Sequence, residues 1–154
     1  MRSGSLRTVL AAAAVGPVAA LALQSAQAQV SPPCEPEVAP AAEDVIIDRT
    51  NALRRSQGIP ELDRHWPIKT AARKWSLRMA RTGDFKHSNL GWSRGRRAGE
   101  NIAMAPTGAG AFRAMLNSPP HRRNLLNRTW RLKGIGVVAR CDGMLLVTVN
   151  LMAP

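Results

Sequence analysis

Two histidines and one glutamate stand in short local patterns that could make them chemically useful: His87 in Phe85-Lys86-His87-Ser88, Glu100 in Gly99-Glu100-Asn101-Ile102, and His121 in Ser118-Pro119-Pro120-His121. Near neutral pH, imidazole and carboxylate bind borderline metals, relay protons and grip polar groups. The three lie on separate segments, so they make a site only if the fold gathers them. Three kinds of chemistry are open to such a set. As metal ligands, two imidazoles and a carboxylate can hold zinc with a fourth position left to water, although no HExxH helix supplies the rigid pair of a zinc peptidase. As a metal-free catalytic site, Glu100 would orient an imidazole, and Ser88 or Ser118 would have to be the nucleophile. Ser118 reads instead as a helix cap, and Ser88 lacks a Gly-x-Ser-x-Gly setting. As a polar cleft, Glu100 accepts from an imidazole and from backbone, and the site binds rather than cuts. This last role is the expected one: no catalytic residue, no required cofactor, and zinc at most a weak ligand of His87, Glu100 and His121.

The elements that must position these residues are legible in outline. A first helix is expected from Ala41 to Gln57, acidic at its start (Glu43, Asp44) and basic at its end (Arg54, Arg55), as the helix dipole favours. Val45, Ile46, Ala52 and Leu53 should form its core stripe, and Gly58 and Pro60 should stop it. A second helix should open at Asp63 or Arg64, with Pro67 in its first turn. Ile68, Ala71, Ala72, Trp75 and Met79 recur there at the spacing of one buried face. Gly83 should end it and deliver the chain to His87. Residues 88–97 read as an Arg-rich surface loop in which Trp92 is either a packed lid or an exposed binding aromatic.

A short apolar stretch after Glu100 leads to a third helix over 109–117. Ser118 should then cap a fourth, with His121 near its third position. There the partial positive charge of the helix N-terminus disfavours an imidazolium and leaves His121 neutral. Residues 134–140 and 144–152 read as two strands joined by a tight Cys141-Asp142-Gly143 turn. Both are apolar at nearly every position, so the sheet should be covered on both faces. The expected fold is α+β, a three-layer α-β-α sandwich around a small antiparallel sheet. His65 should lie on the surface or pack at a helix start rather than ligate, Trp66 and Trp130 should anchor helix ends against the core, and the six methionines need no cofactor.

Residues 1–28 have the form of a cleaved secretory signal: Arg2 and Arg7, an apolar run from Val9 to Leu23, then Ala26-Gln27-Ala28. The run is too short and small-residued for a comfortable membrane span, so no span is expected after cleavage. An irregular Pro- and Glu-containing tail (29–40) should precede a single domain (41–154). An exported chain meets oxidising surroundings, where Cys34 and Cys141 should pair; two free buried thiols are the alternative. The 22 Lys plus Arg against 10 Asp plus Glu give a net charge of +12. For an extracellular protein this points to anionic cell-envelope polymers or lipid head groups, with no nucleic acid expected, or simply to a solvated basic face.

Taken in order, Asn51-Ala52-Leu53-Arg54, Gly58-Ile59-Pro60-Glu61-Leu62, the Ala72–Met79 helix, Phe85-Lys86-His87-Ser88, Gly99-Glu100-Asn101-Ile102-Ala103, Ser118-Pro119-Pro120-His121-Arg122 with Asn124-Leu125-Leu126, and Gly134-Ile135-Gly136-Val137 resemble the CAP superfamily. This is the cysteine-rich secretory protein, antigen 5 and pathogenesis-related 1 group, and the resemblance is to its short bacterial SCP-like members. It spans about Ala41 to Leu151. It implies an α-β-α sandwich and a cleft that gathers two histidines with one or two acidic residues, matched here by His87, Glu100 and His121. A second glutamate, which many members carry on the helix before the second histidine, is missing from residues 111–117. Family members are associated with lipid and sterol binding, so the resemblance adds a lipid or sterol to the candidate partners of an expected secreted, monomeric, non-enzymatic binding module.

Overall fold

The computed structural model describes residues 34–154, so the expected signal at 1–28 lies outside the described residues. The elements run β1 (Glu37–Val38), α1 (Pro40–Ser56), β2 (Asp63–Arg64), α2 (Trp66–Thr82), β3 (Ala98–Ala105), α3 (Gly108–Asn117), α4 (Pro119–Leu125), β4 (Leu132–Ala139) and β5 (Leu145–Met152). The main sheet has the order β1-β4-β5-β3, with β2 added in parallel to β4 at Leu132 and Lys133. The other pairings are antiparallel.

Three expectations are corrected along the way. Within the tail expected to be irregular, Glu37 and Val38 pair with Ala139 and Val138 as β1, held beside β4 by the Cys34–Cys141 link. Asp63 and Arg64 do not open the second helix; they form β2, and α2 starts at Trp66 with Pro67 in its first turn. The stretch around Glu100, expected only as a short apolar segment, is an eight-residue strand, β3, paired to β5 from Ala98↔Met152 to Ala105↔Leu145. Its glycine, glutamate and asparagine lower β-propensity, and the completed ladder on β5 overrides that local weakness.

Both faces of the sheet are covered, as the unbroken apolarity of β4 and β5 predicts: every residue of β5 is buried. On one face Ile135, Val137, Val147, Val149 and Leu151 join Ile46 and Ile47 of α1, Phe112 and Met115 of α3, and Leu125 of α4. On the other, α2 lies directly on β4. Here β4 carries Gly134 and Gly136, and a Cβ at either would collide with the α2 backbone, at Ile68 and Lys69 or at Ala72 and Arg73. Ser76 of α2 donates to the Gly136 carbonyl at 2.9 Å and meets the Thr148 hydroxyl at 2.8 Å.

The buried stripe of α1 is Glu43, Ile46, Ile47, Thr50 and Arg54. Val45 and Ala52, expected within it, are exposed, and Leu53 is half-buried. Glu43 and Arg54 do more than complement a dipole. Glu43 accepts two 2.7 Å bonds from Arg73, pairs with Lys69 at 3.0 Å, and accepts from the Val137 amide at 3.3 Å. Arg54 donates to the carbonyls of Pro60, Leu125, Asn127 and Trp130 at 2.8 to 3.3 Å. Full sets of partners are what allow charges to persist inside a core. A disulfide joins Cys34 to Cys141, with Cα atoms 5.8 Å apart, and ties the start of the described chain to the β4–β5 turn.

Candidate functional site

Strand β3 lies at the edge of the sheet, and alternation along it aims Glu100 and Asn101 at opposite faces. Glu100 serves the segment that follows α2. Gly83, at φ +73°, ends that helix, and the indole N–H of Trp75 donates to the Lys86 carbonyl at 2.9 Å, fastening the residue next to His87. His87 Nδ1 then lies 2.9 Å from Glu100 Oε1, which also accepts the Ser88 amide at 2.8 Å. A carboxylate only accepts, so Nδ1 carries a proton; whenever the ring is neutral, Nε2 is its acceptor. The Glu100 side chain is 2% exposed and that of His87 54% exposed, so a buried anion holds a solvent-facing imidazole.

Asn101 serves the other side. Its amide donates to the His121 carbonyl at 3.0 Å, while its Oδ1 accepts from Asn124 at 2.9 Å, and Asn124 Oδ1 accepts from the Trp130 indole at 3.0 Å. This chain of amides sets α4 against β3 and brings the His121 ring to 6.5 Å from the His87 ring, at 49° between planes. Burial, and secondarily the neighbouring His87, hold His121 below the usual histidine pKa, so it is neutral at pH 7.

The structure therefore gathers His87, Glu100 and His121. Asn101 and Asn124 lay inside quoted motifs with no assigned role, and their signal was only that polar amides interrupt apolar stretches. Asn150 was missed entirely. It is the register partner of Glu100 on β5, and both its amide atoms, like Glu100 Oε2, are buried without a partner.

Other expectations fare variously. Trp130 is buried, whereas Trp66 is 68% exposed, with Lys69 Nζ 5.7 Å from its ring centre. With most of its surface in solvent, Trp66 anchors nothing against the core. Trp75 is half-buried against Met79, Ile102 and Leu146. Trp92 is half-buried in a 3-10 turn, Gly91–Ser93. Ser118 occupies the N-cap of α4 without a side-chain cap bond; Pro119 and Pro120 leave few free amides there for its hydroxyl to meet.

Chemically, the arrangement offers two acceptors, Nε2 of a neutral His87 ring and one nitrogen of neutral His121, with the buried Glu100 carboxylate holding the first in place. It does not fit a dedicated zinc ion. Zinc–nitrogen bonds of about 2.0–2.1 Å in tetrahedral geometry would place two imidazole centres roughly 5 Å apart. Among the described residues, no group of three or more His, Cys, Asp or Glu side chains is arranged to hold a metal.

Comparison with known proteins agrees with this architecture. The sequence profile of the cysteine-rich secretory protein (CAP) family matches residues 47–151. An extracellular SCP-domain protein of Bacillus anthracis superposes with a TM-score of 0.67 at 29% identity, over 75% of this chain and 41% of that one. The chain thus spans less than half the length of that relative. Venom allergen-like protein 4 of Schistosoma mansoni (TM-score 0.61, 15% identity, 73% and 88% covered) and NaASP2, solved with Zn2+ (0.58, 16%, 74% and 80%), share the fold. No curated protein matches the sequence. With most of the described residues under one family profile and the sandwich in place, the chain belongs to the CAP, or cysteine-rich secretory protein, family.

Proposed function

We propose that this CAP protein is an exported, monomeric binding module that performs no covalent catalysis. In this reading His87, Glu100 and His121 receive the polar group of an extracellular ligand. The observation that carries it is the buried Glu100 carboxylate locking His87 Nδ1, which presents Nε2 outward beside a neutral His121. Acceptors fixed in this way suit a ligand with hydroxyl donors. A sterol, a hydroxyl-bearing lipid or a lipid-linked anionic envelope polymer supplies such donors. A separate cavity of about 530 Å3, lined by Leu116, Pro119 and Leu126 together with Arg122 and Arg123, lies along α4, and His121 does not line it.

Two features speak for binding over hydrolysis. The Ser88 hydroxyl accepts from the Leu90 amide at 3.2 Å and bonds to neither histidine, so no nucleophile is paired with a base. Zinc, where it binds, binds weakly, because the rings must first draw together.

The test is extraction of the protein from its own source, followed by mass spectrometry of what co-purifies. The wild type should carry a lipid or sterol that falls at least tenfold in His87→Ala and Glu100→Gln, with melting temperatures showing that both variants fold. Equal retention in the variants sinks the reading. So does ester or peptide turnover that Glu100→Gln abolishes, or tight stoichiometric zinc in protein purified without added metal.

A further inference from the structure

A second cavity, of about 560 Å3, lies between the start of α2 and the loop before β3, and none of His87, Glu100 and His121 lines it. It is lined by apolar Ile68 and Met152, by the rings of His65 and Trp92, and by Arg94 and Arg96. Three observations distinguish it from an ordinary surface hollow.

The first is that His65 Nδ1 and Trp92 Nε1 are both buried without a hydrogen-bond partner. An indole nitrogen only donates. The indoles of Trp75 and Trp130 each have an acceptor, the Lys86 carbonyl and Asn124 Oδ1, so Trp92 is the exception. The second is charge. No carboxylate lines the cavity, and neither Arg94 nor Arg96 forms an ion pair among the described residues; Arg96 spends one N–H on the Ala153 carbonyl at 3.1 Å. The third is backbone conformation. Leu90 (φ +55°) and Arg94 (φ +52°) are the two non-glycine residues with positive φ among the described residues, and they bracket Trp92. Side chains other than glycine are held there at a cost that surroundings must offset.

Two unpaired guanidinium groups beside an aromatic and apolar lining, with no carboxylate among them, call for one kind of guest. We propose that this cavity is a binding site for an amphiphilic organic anion, with its carboxylate or phosphate on Arg94 and Arg96 and its apolar body against Trp92, Ile68 and Met152. Guanidinium forks pair with both kinds of head group. The site is separate from the one proposed above and stands without it.

The indole N–H of Trp92 reports occupancy directly. In 15N–1H spectra of the described domain within the full chain, the Trp92 indole signal, assigned with Trp92→Phe, is followed during titration with 2-naphthoate, 2-naphthyl phosphate, neutral 2-naphthalenemethanol and inorganic phosphate. Either naphthyl anion should move that signal and the His65 ring saturably, at least tenfold more tightly than the neutral alcohol or inorganic phosphate; the tighter of the two names the head group. Binding should weaken at least tenfold in Arg94→Asn, where asparagine tolerates the positive φ, and in Arg96→Gln, and stay unchanged in His87→Gln. The proposal fails if the Trp92 signal does not saturate, if the alcohol or phosphate alone binds as tightly, if both arginine variants bind like the wild type, or if His87→Gln abolishes binding.

Discussion

At the residue scale, Lys133 illustrates how far a side chain's neighbours can remake it. It sits at the end of a basic run, Arg128 to Lys133, that reads as a solvated surface cluster, yet it is 2% exposed. Its ammonium donates to the Leu62 carbonyl and to Asn51 Oδ1. Burial, and next the nearby Arg64, lower its pKa from 10.5 to about 8. Between those values the unfolded chain binds more protons than the folded one, so stability rises with pH across that window and is flat below it. The rise is on the order of 3.5 kcal/mol at most, because each tenfold change in proton affinity is worth about 1.4 kcal/mol. Urea midpoints measured from pH 7 to 10.5 should climb above pH 8 in the wild type, and Lys133→Met should remove that climb; parallel profiles would refute the assignment. The candidate histidines were legible because imidazole is a rare residue type with few structural uses, and Glu100 because it stands in the short pattern Gly99-Glu100-Asn101-Ile102. Lys133, Asn101, Asn124 and Asn150 were not, because a lysine in a charge run and an amide beside a loop look the same whether buried or wet.

At the scale of elements, hydrophobic period revealed α2 and unbroken apolarity revealed β4 and β5, since each buries large apolar side chains. Where a face is buried without large apolar groups, the same signal is silent. Glu43 and Arg54 hold the ends of the α1 stripe, and β3 carries glycine, glutamate and asparagine, so both patterns fell short. The contact of α2 with β4 is the extreme case, because glycines let two backbones meet. Adding one methyl in Gly136→Ala forces them apart and should cost about 3 kcal/mol or more, the upper range for overpacking. Denaturation of the purified variant measures it, and a loss below about 1 kcal/mol would mean the helix is free to lift. The candidate site inherits this rigidity, since Trp75 on α2 fastens the Lys86 carbonyl beside His87.

At the scale of the whole molecule, charge is divided unevenly. Between residues 88 and 131 stand eight arginines (94, 96, 97, 113, 122, 123, 128 and 131) and a single acid, the buried Glu100, while the ion pairs of the described residues other than His87–Glu100 all lie outside that stretch. Both cavities described above draw their arginines from it. The disulfide acts on the opposite end of the sheet, across 107 residues of sequence. Loop-closure entropy for a link of that span is about 4 to 5 kcal/mol. The double variant Cys34→Ala, Cys141→Ala should therefore lose about 2–4 kcal/mol in urea denaturation, with β1 fraying first in hydrogen exchange; unchanged stability would show that the link constrains nothing. That same span also sets a timetable. A chain made or threaded N-terminus first presents Cys34 long before Cys141 exists beside it. Its thiol must wait, unreacted, through nearly all of the domain's delivery. Any bond it makes earlier is with another molecule, so covalent dimers joined at Cys34 are the characteristic by-product of hurried oxidation.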